Sequence, residues 1–236
     1  YLSKADVNLG EREPIRDGAR VLDRYVDAVA ARVYDHKTVE ELANYSSIPI
    51  INALSDRAHP CQALADVLTV REHFGRTEGL SLTFIGDPNN VARSLAVACA
   101  YLGINFTIAA PEGYDFDEDF VRTMQEYTAR SGSTFGRTSD LQEAAGGAHV
   151  LYTDVWISMG QEGEAERRRK DFGGYCIDDE VLKAADPQAK VMHCLPAHRG
   201  EEITNSVIEG PQSVVFDQAE NRLHAQRALL WLMVKR

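Results

Sequence analysis

Short apolar segments alternate with helical segments along most of this chain, and that alternation restricts the possible folds more than any other feature. Apolar runs typical of strands start near Ala28, Pro49, Ser81, Asn105 and His149. The segments between them place apolar residues at the spacing of an amphipathic helix. Parallel strands need a crossover connection of this kind, usually a helix. The sequence therefore predicts an α/β protein with parallel sheets.

The same patterns predict the individual elements. Helices are expected over residues 14–26, 38–44, 60–74, 90–102, 117–130, 141–145, 178–185 and 220–234, and strands over 28–33, 49–52, 81–85, 105–110, 133–136, 149–153, 191–193 and 214–216. Thr38 is the expected N-cap of the second helix, because its hydroxyl can accept a hydrogen bond from a free backbone N–H. Residues 229–234 are apolar on all sides of the last helix, so we expect them to be buried. A polar break at 75–79 predicts a domain junction.

Composition excludes several classes of function. The 236 residues carry a net charge of −11 with a pI of about 5.1, which argues against a nucleic-acid partner and an anionic membrane surface. No apolar run approaches the length of a membrane span. The four cysteines are scattered, as in proteins of a reducing compartment, so we expect a cytoplasmic protein. The basic run 167–170 lies among acidic residues and is interpreted as a solvated loop face.

The segment 191–202 has the most unusual composition, with a short buried strand followed by the polar loop His-Cys-Leu-Pro-Ala-His-Arg-Gly-Glu-Glu. A Cys–His nucleophilic pair would need both side chains within hydrogen-bonding reach. His193 and Cys194 are adjacent on a strand and should point to opposite faces. A zinc site would need ligand spacings such as C-x-x-C, which do not occur here. A buried structural cysteine is the third interpretation.

Three further motifs allow both a structural and a functional interpretation. The segment 86–90 has a single glycine, and Pro88 lacks an N–H, so we reject a nicotinamide cofactor. It is either a turn with an Asn cap or a site where an Asn meets a substrate carboxylate. His59 and Gln62 share one helical face and are either surface groups or a pair that polarises a small carbonyl, with Gln62 donating or accepting. Asp154 precedes either an ordinary loop or a lid, where its carboxylate would hold a substrate ammonium.

Taken together, the motifs resemble those of the ornithine carbamoyltransferases, in the aspartate/ornithine carbamoyltransferase family. The matching segments are 8–11, 19–22, 31–34, 52–56, 59–66, 86–90, 154–161, 193–202 and 220–226. They cover nearly the whole chain in one order. Aspartate carbamoyltransferases are a poorer match, because the Ser-Met-Gly loop and the Cys of His-Cys-Leu-Pro resemble an ornithine-type pocket.

The resemblance implies a fold and a reaction. It implies two α/β domains, each a central parallel sheet flanked by helices, with residues 1–75 for carbamoyl phosphate and 76–218 for ornithine. Residues 219–236 would form a helix that returns to the first domain and so buries its apolar end. Members are homotrimers or assemblies of trimers. They transfer a carbamoyl group from carbamoyl phosphate to the δ-amine of L-ornithine, giving citrulline in arginine metabolism, with no cofactor and no metal.

The resemblance also implies the roles of individual residues. Arg32 would neutralise the leaving phosphate, while His59 and Gln62 would grip the carbamoyl group. The rest of the implied site comprises Asn90 for the ornithine carboxylate, Asp154, Ser158 and Met159 lining the ornithine pocket, and Cys194, Leu195 and Arg222 where the substrates meet. Six of these are expected to be catalytic: Arg32, His59, Gln62, Asp154, Cys194 and Arg222.

The sequence departs from the family pattern in three places. The Ser-Thr-Arg-Thr-Arg phosphate motif is absent and is expected upstream of Tyr1, so we expect the first domain to be incomplete. Of the cationic donors expected in the first domain only Arg32 is then identified, helped by His59 if His59 is protonated. Asn8 stands where a Gln or His commonly reaches a neighbouring subunit, and Gly18 where Thr is usual.

Three functional hypotheses follow. The first is a catalytic ornithine carbamoyltransferase, and the second is a non-catalytic protein that keeps the fold. The third keeps the reaction but uses another amine, such as a modified ornithine or putrescine. Retention of Arg32, His59, Gln62, Asp154 and Cys194 favours the first, since a scaffold does not need all five.

Overall fold

The protein contains two parallel sheets. A computed structural model describes residues 1–3, 10–158 and 160–234. The strands are β1 (Val29–Arg32), β2 (Ile50–Leu54), β3 (Ser81–Ile85), β4 (Asn105–Ala109), β5 (Phe135–Thr138), β6 (Val150–Thr153) and β7 (Lys190–His193). Strands β1 and β2 pair with each other, and the other five form one sheet in the order β5-β4-β3-β6-β7. All the pairings are parallel, so the predicted α/β class is confirmed.

Helices connect the strands. They are α1 (Ile15–Leu22), α2 (His36–Tyr45), α3 (Pro60–Phe74), α4 (Asn90–Tyr101), α5 (Glu118–Ser131), α6 (Leu141–Ala145), α7 (Ala165–Asp171), α8 (Asp179–Ala184), α9 (Asn205–Ile208) and α10 (Val215–Val234), with a 3₁₀ turn at Glu162–Glu164. Neither α7 nor α9 was predicted: the basic run in α7 was interpreted as a loop, and α9 is only four residues long. No described helix is long and apolar enough to cross a membrane.

The five-stranded sheet is buried on both faces, as expected for parallel strands. One face packs Leu82, Phe84 and Phe106 against apolar residues of α3, α4 and α5. The other packs Leu151 and Val191 against α6, α8 and α9. Along the chain, strands are added outward from β3 through β4 to β5, and the chain then crosses to the other side of β3 to add β6 and β7. The switch therefore lies between β3 and β6, and ligands of such sheets bind beyond the carboxyl ends of the strands at this point.

Two local predictions are wrong. Asp35, not Thr38, caps α2, and its carboxylate accepts from the N–H of Lys37. The aspartate precedes the helical pattern by one residue and is the stronger cap. Residues 214–216 do not form a strand, because α10 already begins at Val215. Only a single bridge between Val191 and Ser213 extends the sheet there, so the β preference of the two valines is overridden by helix packing.

The last helix, α10, packs antiparallel along α3. Contacts run from His73–Asp217 at one end to Cys61–Gln226 at the other. Because α3 begins at Pro60, the last turns of α10 extend past it. Leu232 is 68% exposed in consequence, as is much of the apolar end. The expectation that residues 229–234 are buried is therefore wrong for the part of the chain that the structure describes.

Candidate active site

A cleft of about 450 Å³ lies where the carboxyl ends of both sheets face each other. Its walls come from the ends of β1 and β2, the start of α3, the loops after β3, β6 and β7, and one turn of α10. The predicted site residues that line it are Arg32, His59, Gln62, Asn90, Asp154, Ser158, Cys194, Leu195 and Arg222. Met159, also predicted, lies outside the described residues. These nine residues, which the family resemblance implied, thus lie together around one cleft.

His59 is a neutral side chain at the start of α3. Its backbone N–H donates to Ser94 Oγ at 2.7 Å, which joins α3 to α4. Burial, together with the nearby charges of Arg222 and Arg32, lowers the pKa of His59 to about 4. The imidazole is therefore uncharged at neutral pH and cannot help as a cation, contrary to one sequence-based expectation. Its Nδ1 is buried without a hydrogen-bond partner among the described residues.

Gln62 lies one turn further along α3, between two charged groups. Its Nε2 donates to Asp66 Oδ1 at 2.8 Å, and its Oε1 accepts from Arg222 Nη1 at 2.6 Å. Arg222 belongs to α10, which this contact ties to α3. The sequence left open whether Gln62 donates or accepts at the cleft. In the structure its acceptor end points toward Arg222, which also lines the cleft.

Two adjacent asparagines form the start of α4. Asn90, a predicted residue, donates to the backbone oxygen of Ser55 at 2.7 Å and so joins the loops after β2 and β3. Asn89 was not predicted as a site residue, although an Asn cap was expected here. Its Oδ1 accepts from two backbone N–H groups of α4, while its Nδ2 donates to Asp154 Oδ2 at 2.8 Å and to Ser158 Oγ at 3.2 Å. Asn89 therefore positions two other site residues.

Asp154 follows β6 at the switch point and is nearly buried. Its Oδ1 accepts from Cys194 Sγ at 3.0 Å and from the N–H of Val155 at 2.8 Å. Its Oδ2 accepts from Asn89. A carboxylate offers about four acceptor positions, so one position on Oδ2 remains for a donor in the cleft. This is the arrangement required to hold an ammonium group.

Cys194 is a protonated thiol. Burial and the neighbouring Asp154 carboxylate raise its pKa well above the usual value, so the sulfur is a poor nucleophile at neutral pH. The potential ligand atoms of Asp154, His193 and Cys194 do approach within 4.8 Å. However, His193 Nδ1 already accepts from the N–H of Leu195, and its Nε2 faces Glu202 at 3.0 Å. The ligand atoms of this cluster are thus already engaged, those of His193 by Leu195 and Glu202 and the Cys194 thiol by Asp154.

The loop after β6 lies against the other side of the cleft. Gly160 has a φ of +87°, and a Cβ added there would lie only 2.7 Å from the ring of Tyr34, which follows β1. Only glycine allows this close approach. Further along, Arg168 on α7 binds Asp87 Oδ1 at 3.2 Å and the backbone oxygen of Trp156 at 3.0 Å. Arg168 is 6% exposed, so the interpretation of the basic run as a solvated face is wrong for this residue.

Comparison with known proteins adds an independent result. Residues 1–72 match the model of the aspartate/ornithine carbamoyltransferase carbamoyl-P binding domain, and residues 78–233 match that of the Asp/Orn binding domain. The chain belongs to the aspartate/ornithine carbamoyltransferase family. Within this family, an ornithine carbamoyltransferase of Thermococcus kodakarensis is 53% identical over 99% of this chain and 74% of its own length.

Solved structures of family members agree with the fold. The ornithine carbamoyltransferase from Pyrococcus furiosus matches with a TM-score of 0.96 and 52% identity over 99% of this chain and 75% of that one. An acetylornithine transcarbamylase complexed with acetylcitrulline matches with a TM-score of 0.85 but only 29% identity, over 94% of this chain and 72% of that one. The chain spans about three quarters of the length of these relatives.

Proposed function

We propose that this protein transfers the carbamoyl group of carbamoyl phosphate to the δ-amine of L-ornithine, which yields L-citrulline and phosphate. One observation carries the proposal. In a single cleft, Arg32, His59 and Gln62 from the β1–β2 side face Asp154 and Cys194 from the five-stranded sheet. Relatives about half identical to this chain are named ornithine carbamoyltransferases, which supports the same assignment.

The β1–β2 side of the cleft has the chemistry of a carbamoyl phosphate site. Arg32 ends β1 and is exposed to the cleft, where its guanidinium can pair with a phosphate. The neutral ring of His59 and the amide of Gln62 supply uncharged polar atoms for the carbamoyl group. Arg222 adds a second cation between them. Fixed donors of this kind stabilise the oxyanion and the leaving phosphate as charge develops.

The other side of the cleft has the chemistry of an amino-acid site. The open acceptor position on Asp154 suits the α-ammonium of ornithine, and Ser158 is held beside it by Asn89. Asn90 lines the cleft at the N-terminus of α4, where the helix dipole favours the ornithine carboxylate. Since the Cys194 thiol is protonated, direct attack by the δ-amine is favoured over a covalent cysteine intermediate.

The acceptor is the least constrained part of the proposal. N-acetylornithine lacks the α-ammonium, so the Asp154 carboxylate would face an amide in place of an opposite charge, and a buried charge without a counter-charge is costly. Putrescine keeps a second ammonium but lacks the carboxylate that the N-terminus of α4 would hold. These contacts favour free ornithine, in agreement with the higher identity to ornithine-named relatives than to the acetylornithine enzyme. One relative is named as anabolic, which favours a biosynthetic direction.

The broader organisation is part of the same proposal. We propose that residues 1–75 and 76–218 are the carbamoyl phosphate and ornithine domains, joined through the helix at 219–236. We also propose that the protein acts as a cytoplasmic homotrimer. The division is supported by the two sheets and by the ranges that the family models match.

A citrulline assay tests the proposal. The protein is incubated with millimolar carbamoyl phosphate and with ornithine, N-acetylornithine or putrescine in turn, and the products are separated chromatographically. We expect citrulline from ornithine and at most traces from the other amines. The variant Arg32→Gln should lose the activity, whereas Arg20→Gln, an exposed arginine outside the cleft, should keep it. No citrulline at any substrate concentration would favour the non-catalytic alternative.

A further inference from the structure

A buried carboxylate lies behind Gln62, outside the lining of the cleft. Asp66 is fully buried and follows Gln62 by one turn of α3. Its Oδ1 accepts from the amide nitrogens of Gln62 at 2.8 Å and Gln218 at 2.7 Å, and its Oδ2 accepts from the Tyr152 hydroxyl at 3.1 Å. Asp66 therefore connects α3, β6 and α10. None of the roles assigned above uses it.

The two neighbours of the Gln62 amide have opposite hydrogen-bonding character. On one side the Asp66 carboxylate accepts, and on the other the Arg222 guanidinium only donates. With Nε2 toward Asp66 and Oε1 toward Arg222, both contacts are hydrogen bonds. A rotated amide would place two acceptors together on one side and two donors together on the other. The surroundings thus allow one orientation, in which the carbonyl oxygen faces Arg222, itself a residue of the cleft lining.

We propose that Asp66 is a positioning residue that orients the Gln62 amide, so that the cleft presents an acceptor and selects a carbamoyl group over an acyl group of the same shape. This inference rests on the proposed function, since the ligand is taken to be carbamoyl phosphate. The NH₂ of a carbamoyl group can donate to Gln62 Oε1. Acetyl phosphate carries a methyl group at that position and cannot donate, so Gln62 Oε1 would keep its bond from Arg222 but lose the one from the ligand.

The orientation does not require Asp66 to be charged. Burial raises the pKa of Asp66 to about 7, so it gains a proton near neutral pH. Its Oδ1 accepts from two amides and stays an acceptor if the proton is held on Oδ2. The ionisable groups that act on Asp66 come from four elements: Arg222 on α10, Cys99 on α4, Tyr152 on β6 and Cys194 after β7.

Substitution of Asp66 tests the selection, with calorimetric titration of carbamoyl phosphate and acetyl phosphate as the readout. The wild-type protein should bind carbamoyl phosphate about tenfold more tightly, as expected for one buried hydrogen bond. Asp66→Leu removes the acceptor, so the two affinities should become nearly equal. Asp66→Asn keeps an oxygen that can accept from both amides, so it should retain most of the selectivity.

Thr69→Val is the matched control. Thr69 is also buried on α3, and its hydroxyl accepts from Asn221 on α10 at 3.0 Å without touching Gln62. If Asp66 only held the two helices together, Thr69→Val would reduce selectivity to a similar extent. We expect it to leave the ratio unchanged. Wild-type selectivity in a folded Asp66→Leu variant, or equal loss in Thr69→Val, would overturn the proposal.

A second measurement needs neither a variant nor turnover. In ¹⁵N-labelled wild-type protein without substrate, the Gln62 side-chain amide protons should exchange with solvent far more slowly than those of exposed glutamines, because they are bonded to a buried carboxylate. Exchange at the rate of an exposed glutamine would refute the orientation even if Asp66→Leu did not fold. Carbamoyl selectivity with slow exchange but no citrulline would contradict the proposed function alone.

Discussion

Single side chains in the cleft determine which substrate groups can bind. Asp154 keeps one acceptor position open after its contacts with Cys194, Val155 and Asn89. Asp154→Asn preserves the size but removes the charge that faces the α-ammonium. Loss of one charge-assisted hydrogen bond should lower kcat/KM for ornithine, by an amount that corresponds to about 1.5–3 kcal/mol of transition-state stabilisation. Steady-state kinetics would check this, and unchanged ornithine kinetics would remove Asp154 from the site.

The protonation state of the substrate should control the pH dependence. An alkyl ammonium such as the δ-amine titrates near pH ~10.4, and only its neutral form can attack. The pKa of His59 is lowered to about 4. Its ring therefore stays neutral above pH ~4 and adds no second ionisation to the pH profile of kcat/KM. We expect kcat/KM for ornithine to rise steadily from about pH 6 into the alkaline range. A flat profile would indicate a different nucleophile or a slow step other than chemistry.

For single residues, the sequence predicted which side chains lie together but not their protonation states or hydrogen-bond partners. The motifs around His59, Asp154 and Cys194 located the cleft, because polar residues that follow parallel strands converge. The neutral ring of His59 was not predictable, since its pKa depends on burial and on Arg222, 163 positions away in sequence. The sequence indicated Asn89 as a helix cap, and nothing in the local pattern indicated that its amide also binds Asp154 and Ser158.

Among the helices, α7 is the one whose contacts are the most informative to break. Arg168 joins it to Asp87 before α4 and to the loop after β6. Arg168→Gln leaves the Asp87 carboxylate buried and unpaired, so we expect a loss of about 3 kcal/mol in unfolding free energy and a raised KM for ornithine. Arg167→Gln, the exposed neighbour that pairs with Glu164, should change neither.

Chemical denaturation and steady-state kinetics would measure both effects. The double variant Asp87→Asn/Arg168→Gln removes the unpaired charge and should recover part of the stability. Additive losses in the double variant would show that the two residues act independently, against the expectation from their contact.

The junction of α3, β6 and α10 should make stability depend on pH. The pKa of Asp66 is about 7 in the folded protein, above its ordinary value of 3.8. The folded state therefore holds the proton more tightly, and the contribution of Asp66 is fully present below about pH 4 and lost as pH rises through 7. Relative to Asp66→Asn, the wild-type protein should gain up to a few kcal/mol of stability between pH 8 and pH 5. Urea unfolding at each pH would reveal a constant difference if this is wrong.

Element boundaries illustrate what local patterns can and cannot predict. The limits of α3 and β3 were predicted correctly, because both show a clear period and end at glycine or at a turn. The start of α10 was placed five residues late, since Val214, Val215 and Phe216 favour a strand locally. The helix nevertheless begins at Val215, and this places Gln218 in a buried hydrogen-bond network with Asp66 and Tyr152. That network joins positions far apart in the chain and leaves no periodic signal.

At the scale of the whole molecule, the cleft has few cationic groups for a substrate that carries a phosphate. Among the described residues, the cationic side chains that line it are Arg32 and Arg222, and the second is already engaged by Gln62. A phosphate dianion in a partly dry site needs several such donors. We therefore expect Arg32→Gln to bind carbamoyl phosphate at least about tenfold more weakly than the unchanged chain, which corresponds to ~1.4 kcal/mol. Parallel calorimetric titrations would check this, and equal affinities would show that further donors exist in this chain.

The contact between Gly160 and Tyr34 has a consequence for the order of events during turnover. The loop after β6 and the segment after β1 touch each other across the cleft, with a ring where any other residue would carry its side chain. Any motion that opens this side of the cleft has to separate the two first. Because residue 160 has no side chain, the two walls can meet here, and any larger residue at this position would hold them apart.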